Sequence, residues 1–167
     1  MIKINPTPNA DSRSGGMNIT IEQLEQSTAD HIGHVQQGLM YFAKVIAVAG
    51  SMHDATKLQY MEDFHETITT QTPGEGVKAS PWYKMHISRE RHHLMSKAPD
   101  DVNLVDVLEY ITDCVMAGMS RTGTVTKLEL PDKLLQEAFQ NTVEMLKGQV
   151  KIIDEEDTED VDDDQTT

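Results

Sequence analysis

The stretch Asn103–Met119, NLVDVLEYITDCVMAGM, decides how the chain folds. Leu104, Val107, Leu108, Ile111 and Val115 recur at three- and four-residue spacing, the period of a helix that buries one face. Asp106, Glu109 and Asp113 recur in the same way and form one acidic stripe along another side. A solvated helix face is the ordinary explanation of such a stripe. Its meaning here depends on what the rest of the chain brings near it.

Working outward, the same period appears at Ile32, Val35, Leu39, Phe42, Ile46 and Ala49, which predicts a helix from about Asp30 to Ala49. It either follows or continues a helix begun at Thr20, where Gln23 occupies the capping-box position. Gly50 is expected to close it, as a residue tolerant of positive φ. The next helix begins near His53, runs through Leu58, Met61 and Ile68, and fades before Pro73. Pro81 suits a first helical turn and opens a segment carrying Trp82, Met85, His86 and the pair His92-His93. Pro131-Asp132 opens a last amphipathic helix, to about Val150. No stretch reads as a strand. The expectation is an all-α bundle of about five helices over residues 18–150, between a flexible N-terminus (1–17) and a disordered acidic tail (151–167).

Composition narrows the function classes. Of the formal net charge of −14, nine acidic residues between Asp154 and Asp164 leave only −5 for the remainder. Such a run repels itself and favours a solvated segment. Nowhere is there a basic stripe, which argues against duplex nucleic acid as a partner. Mean hydropathy is −0.46, and no apolar run approaches the ~18 residues of a membrane span. The first residues lack the charged-then-apolar pattern of a secretory signal. One cysteine, Cys114, leaves no intramolecular disulfide, so the chain is expected in a reducing cytoplasm.

The residues that can carry chemistry form an ordered series: His31, then His53-Asp54 with Lys57 one turn on, then His86 and His92-His93, and finally Asp113. A lone helical His is usually a surface or hydrogen-bonded residue. Antiparallel helices, however, can aim a series of this kind inward, and bundles build metal sites in that way. Neutral imidazole and hard carboxylate together suit Mn, Fe, Co, Ni, Zn or Mg.

This order resembles the HD superfamily of metal-dependent phosphohydrolases, helical proteins in which a His, a His-Asp pair and a later Asp bind one metal. The resemblance implies His31, His53, Asp54 and Asp113 in those places. In branches of the superfamily a later His and a His pair hold a second metal, which implies His86 and His92. A narrower likeness is to a small phage and bacterial branch, largely uncharacterised. It rests on His31-Ile32, His53-Asp54-Ala55-Thr56-Lys57-Leu58, Arg91-His92-His93 and Asn103-Leu104-Val105-Asp106-Val107-Leu108-Glu109 leading to Asp113. His34 competes with His31, and His93 with His92.

The resemblance implies an HD-like bundle with one or two divalent ions, hydrolysing a phosphate ester of a small nucleotide with metal-activated water. A nucleoside 5′-monophosphate is the expected substrate, and host cytoplasm the expected setting if the chain is phage-encoded. Asp54, Lys57 and Glu109 are the expected catalytic groups. Lys57, Arg89 and Arg91 are suited to phosphate oxygens, and Trp82 to stacking on a base. A nucleotide phosphodiesterase, a nucleoside triphosphohydrolase and a non-catalytic metal- or ligand-binding bundle are the alternatives. Pairing of two copies through a helix face is compatible with a bundle of this size.

Overall fold

A computed structural model of the chain describes residues 1–4 and 19–153. Most of the acidic tail and of the N-terminal segment lies outside them. The fold class is all-α, as expected. The elements are β1 (Ile2–Ile4), α1 (Ile21–Met52), α2 (Ala55–Gln59), α3 (Met61–Thr70), α4 (Glu75–Ala79), α5 (Pro81–Arg89), α6 (Leu94–Lys97), α7 (Leu104–Thr122), α8 (Asp132–Lys147) and β2 (Val150–Ile152). Among the described residues no helix is long and apolar enough to cross a membrane.

The chain divides into two compact units. One comprises residues up to Ala43 and from Met145 onward; the other is Lys44–Glu144. In the first, β1 and β2 pair in parallel, Ile2 opposite Val150 and Ile4 opposite Ile152. The sequence predicts no strand, because three residues are too few to display a two-residue period. The expected capping box is present: Thr20 N donates to Gln23 Oε1 at 3.0 Å, and Gln23 N to Thr20 Oγ1 at 3.2 Å.

Several boundaries differ from expectation. Of the two expectations for the first segments, a separate helix or a continuation, the structure has the continuation: Ile21–Met52 is one helix, α1. Within it, the Asp30 carboxylate accepts from Gln26 Nε2 one turn earlier, at 2.9 Å. Gly50 lies inside α1 and does not end it. The left-handed residue comes later, at Asp54 (φ 56°), the only non-glycine residue with positive φ among those described. The helix expected from His53 is therefore two, α2 and α3, meeting at Tyr60. Helix α5 starts at Pro81 with Ser80 as N-cap, its hydroxyl accepting from Tyr83 N at 3.1 Å. It ends at Arg89, so His92 and His93 sit in the turn before α6.

Within the second unit, Leu94, Val102, Val107 and Ala138 form the apolar core, with Leu104, Tyr110, Leu130 and Leu134 packed on it. The buried part of α7 is Val105, Asp106 and Val107, while Leu108 and Ile111 are exposed. The apolar row on α1 is likewise open at Ile32, Val35, Leu39 and Ile46. Asn103 caps α7 in a capping box with Asp106, and Gly123 closes it in the left-handed region. The largest fully buried side chains are His86, His92 and Val102. The interior of this unit is thus substantially polar, and those polar groups require partners.

Candidate metal centre

The site is organised by the turn between α1 and α2. Its left-handed residue, Asp54, costs about 1 kcal/mol for an L-residue with a Cβ, a penalty Asp and Asn tolerate best. That conformation turns the Asp54 carboxylate toward the second unit's histidines. Oδ1 lies 3.5 Å from His86 Nε2 and 3.7 Å from His92 Nε2. Oδ2 lies 3.4 Å from His53 Nε2 and accepts from Lys57 Nζ. On α7, Asp113 Oδ1 lies 3.6 Å from His53 Nε2. These gaps are long for hydrogen bonds. Two atoms bound about 2.1 Å from one ion stand roughly 3–3.5 Å apart, so the spacing suits shared ligation.

Asp54 Oδ1 is buried and has no hydrogen-bond partner among the described residues. A buried carboxylate oxygen without a donor is costly, and this one points into a cluster of imidazoles. Burial alone would raise the Asp54 pKa. The hydrogen bond and charge of Lys57, with His53 and His92, instead hold it below the ordinary carboxylate value. The group stays anionic and available to a cation.

The ring nitrogens are oriented by three carboxyl and hydroxyl partners. Glu109 Oε1 lies 2.9 Å from His53 Nδ1 and 3.0 Å from His92 Nδ1. Burial raises the Glu109 pKa, but the bonds from His92 and His53 hold it below the ordinary value. An ionised carboxylate only accepts, so both Nδ1 atoms donate and both Nε2 atoms face Asp54. His86 is oriented differently. Thr56 Oγ1 donates to Glu90 Oε1 at 2.5 Å, and Thr56 N donates to the same oxygen at 2.8 Å. With its one proton committed, the hydroxyl can only accept from His86 Nδ1, 2.7 Å away. His86 Nε2 is therefore the bare nitrogen, 2.7 Å from His93 Nε2.

Burial pushes His93 down to about 4, aided by the neighbouring His92 and His86 rings. Burial lowers His86 too, against the pull of Asp54. Both are neutral near pH 7, as metal-ligating imidazoles must be. His92 behaves oppositely: burial lowers it, but the Glu109 bond and charge raise it on balance. Two groups of potential ligand atoms thus lie within 4.8 Å of one another: Asp54, His86, His92 and His93, and His53, His92 and Glu109. The cluster can hold a metal ion.

The structure brings His53, Asp54, His86, His92, Glu109 and Asp113 together, whereas His31 belongs to the other unit. His31 is exposed there and belongs to neither ligand group. Lys57 pairs with Asp54 and does not stand free in solvent. Arg91 is held by Asp106, through Nε at 2.7 Å and Nη2 at 2.8 Å, and by Asp101 at 3.0 Å. Those partners keep it charged and engaged. Arg89 is exposed and donates to the Tyr60 hydroxyl at 2.6 Å. Trp82 is buried, with Phe64 stacked at 4.3 Å and His86 at 5.0 Å, so its faces are not open to a base.

Sequence reasoning missed Thr56 and Glu90 altogether and treated His93 only as a rival of His92. One signal was present. Glu90 follows His86 by four residues, the spacing at which two helical side chains share a face. No family model matches this chain, and no curated protein or solved structure does either.

Proposed function

We propose that this protein is a metal-dependent phosphohydrolase acting on a small phosphate ester, a nucleoside 5′-monophosphate being the substrate to test first. The observation that supports it best is the buried, unpartnered Asp54 Oδ1 facing the Nε2 atoms of His86 and His92. A strained backbone that holds a metal-competent carboxylate is typical of a functional site.

We read the cluster as two adjacent ligand sets joined by Asp54: His53, with Asp113 next to it, beside one oxygen, and His86, His92 and His93 beside the other. Mn, Fe, Co, Ni, Zn and Mg all suit such a donor set. A divalent cation bound there supplies Lewis acidity toward a phosphate oxygen and lowers the pKa of its water. The chain's own residues do the rest. Glu109 and the Glu90–Thr56 pair keep the rings in the ligating tautomer. Lys57 balances the Asp54 charge and lies within reach of an incoming phosphate. Asp54, Glu109 and Asp113 would repel that phosphate without bound cations, so substrate binding depends on them.

A non-catalytic metal-binding protein is the second reading. The pairing of both Lys57 and Arg91 with carboxylates favours it, since neither is a free phosphate ligand. Phosphodiester or nucleoside triphosphate hydrolysis remains an alternative within the enzyme reading.

The test is elemental analysis of purified protein, followed by phosphate release from nucleoside monophosphates with Mn, Co or Mg. Wild type and His31→Ala should carry one or two equivalents of metal and release phosphate, whereas Asp54→Asn should do neither. Metal retained without any phosphate release would select the binding-protein reading. No metal in wild type, before or after soaking, would overturn both.

A further inference from the structure

A cleft of about 290 Å³ opens directly beside the metal centre. Its walls are Ile46, Ala49 and Gly50 from α1 and Val105, Leu108 and Met116 from α7, and its rim carries His53, Glu109 and Asp113. We propose that this cleft receives the leaving group of the phosphate ester, and that it selects an apolar, ring-sized group by shape without reading hydrogen bonds. The proposal rests on the phosphohydrolase reading and adds the substrate class to it.

Three observations carry it. First, the rim residues are members of the metal cluster, so a phosphoryl group at Asp54 would project its ester substituent toward these walls. Second, the cleft is large enough: a cavity of about 150 Å³ already holds benzene. Third, the walls offer almost nothing polar. Apart from the rim, Thr112 is the polar side chain lining the cleft, and its hydroxyl donates to the Leu108 carbonyl at 2.8 Å. No donor is left to recognise a carbonyl or ring nitrogen. A pocket of this kind separates ligands by size and apolar area, and discriminates weakly among groups of similar shape. A simple aryl ester should therefore serve, and nucleosides carrying bases of either size class should be distinguished little as leaving groups.

Gly50 makes the idea testable. Gly50 lines the cleft, and a Cβ built there meets nothing within 4 Å, so a side chain can be added at the cleft wall without a clash. Replacing a glycine inside a helix also favours the helix.

The experiment is calorimetric titration of the metal-loaded protein with phenylphosphonate and with methylphosphonate, neither of which is hydrolysed. Wild type should bind the phenyl compound at least about tenfold more tightly. Gly50→Leu should bring the two affinities together while its metal content stays at the wild-type value. Gly50→Ala, which adds one methyl, should give an intermediate ratio. Equal affinities in wild type would overturn the proposal, as would a phenyl preference that survives in Gly50→Leu. If Gly50→Leu instead alters the oligomeric state in sedimentation, the cleft is covered by a second copy and the proposal falls. Preferential phenylphosphonate binding without turnover of any phosphate ester would separate the two readings: the cleft would stand and hydrolysis would fail.

Discussion

The Thr56 hydroxyl lies 2.7 Å from His86 Nδ1 after giving its only proton to Glu90. A hydroxyl in that state can only accept, so it selects which nitrogen of a buried imidazole is bare. Thr56→Val should remove the acceptor, leave Glu90 short of a donor and weaken metal binding by roughly 10–100-fold. Thr56→Ser should restore most of it. Competition with a chromogenic chelator measures both, and equal affinity of Val and wild type would show that Thr56 does not orient the ring.

Glu109 orients two rings through one oxygen. In Glu109→Gln the accepting oxygen can remain, but the charge that holds both Nδ1 protons is gone. Metal affinity should fall by about 10–100-fold, with the unfolding midpoint of the metal-free protein changing much less. A normal metal affinity in this variant would assign Glu109 to packing alone.

Asp54 sets stability against ligation. Glycine at this position relieves the left-handed strain, about 1 kcal/mol, and removes the buried unpaired oxygen. The lost bond to partly exposed Lys57 offsets no more than about 1 kcal/mol. With chelator present, Asp54→Gly should resist urea at least as well as wild type while retaining no metal. A clearly lower midpoint would mean that Asp54 holds the fold together.

Arg91 should behave as a structural residue. Its partner Asp106 is 4% exposed, and Arg91→Ala leaves that carboxylate only the Asn103 backbone N–H, 2.9 Å away. The cost should be about 2 kcal/mol, below that of a fully buried pair because the guanidinium is 41% exposed. Urea unfolding measures it. A raised KM at unchanged stability would return Arg91 to the phosphate.

The pH response of the metal-free protein follows from His93. Its folded value of about 4 lies below the ordinary 6.5. Between those values the unfolded chain carries a proton that the folded chain does not, so stability falls as pH drops through the window. His86, lowered by burial, acts in the same direction. His92, raised by Glu109, opposes them, because its contribution is present at low pH and is lost on going upward. The net expectation is a lower melting temperature at pH 5 than at pH 7.5, and a smaller difference in His93→Gln. An unchanged difference in that variant would exclude His93 as the source.

Much of this was legible in one dimension. The three-and-four spacing of Leu104, Val107 and Val115 identifies a helix because packing requires that period, whatever the neighbours. Thr20 with Gln23, and Pro81, mark helix starts, since capping and first-turn chemistry are local to a few residues. The candidate ligands His53, Asp54, His86, His92 and Asp113 were nameable from their chemical type and order. So was Glu109, though not its hold on two rings at once.

The rest needed three dimensions. Whether α1 breaks near Asp30 depends on small differences in helix propensity that packing overrides. The exposure of Leu108 and Ile111 reflects which face of α7 meets a neighbour, and periodicity does not contain that information. Arg91 and Trp82 have the chemistry of ligand-binding residues; their partners, Asp106 and Phe64, lie 15 and 18 positions away in the chain. Thr56, His86 and Glu90 meet across some thirty residues. Local chemistry supplied the candidate ligands, and long-range packing decided which nitrogen of each ring is bare.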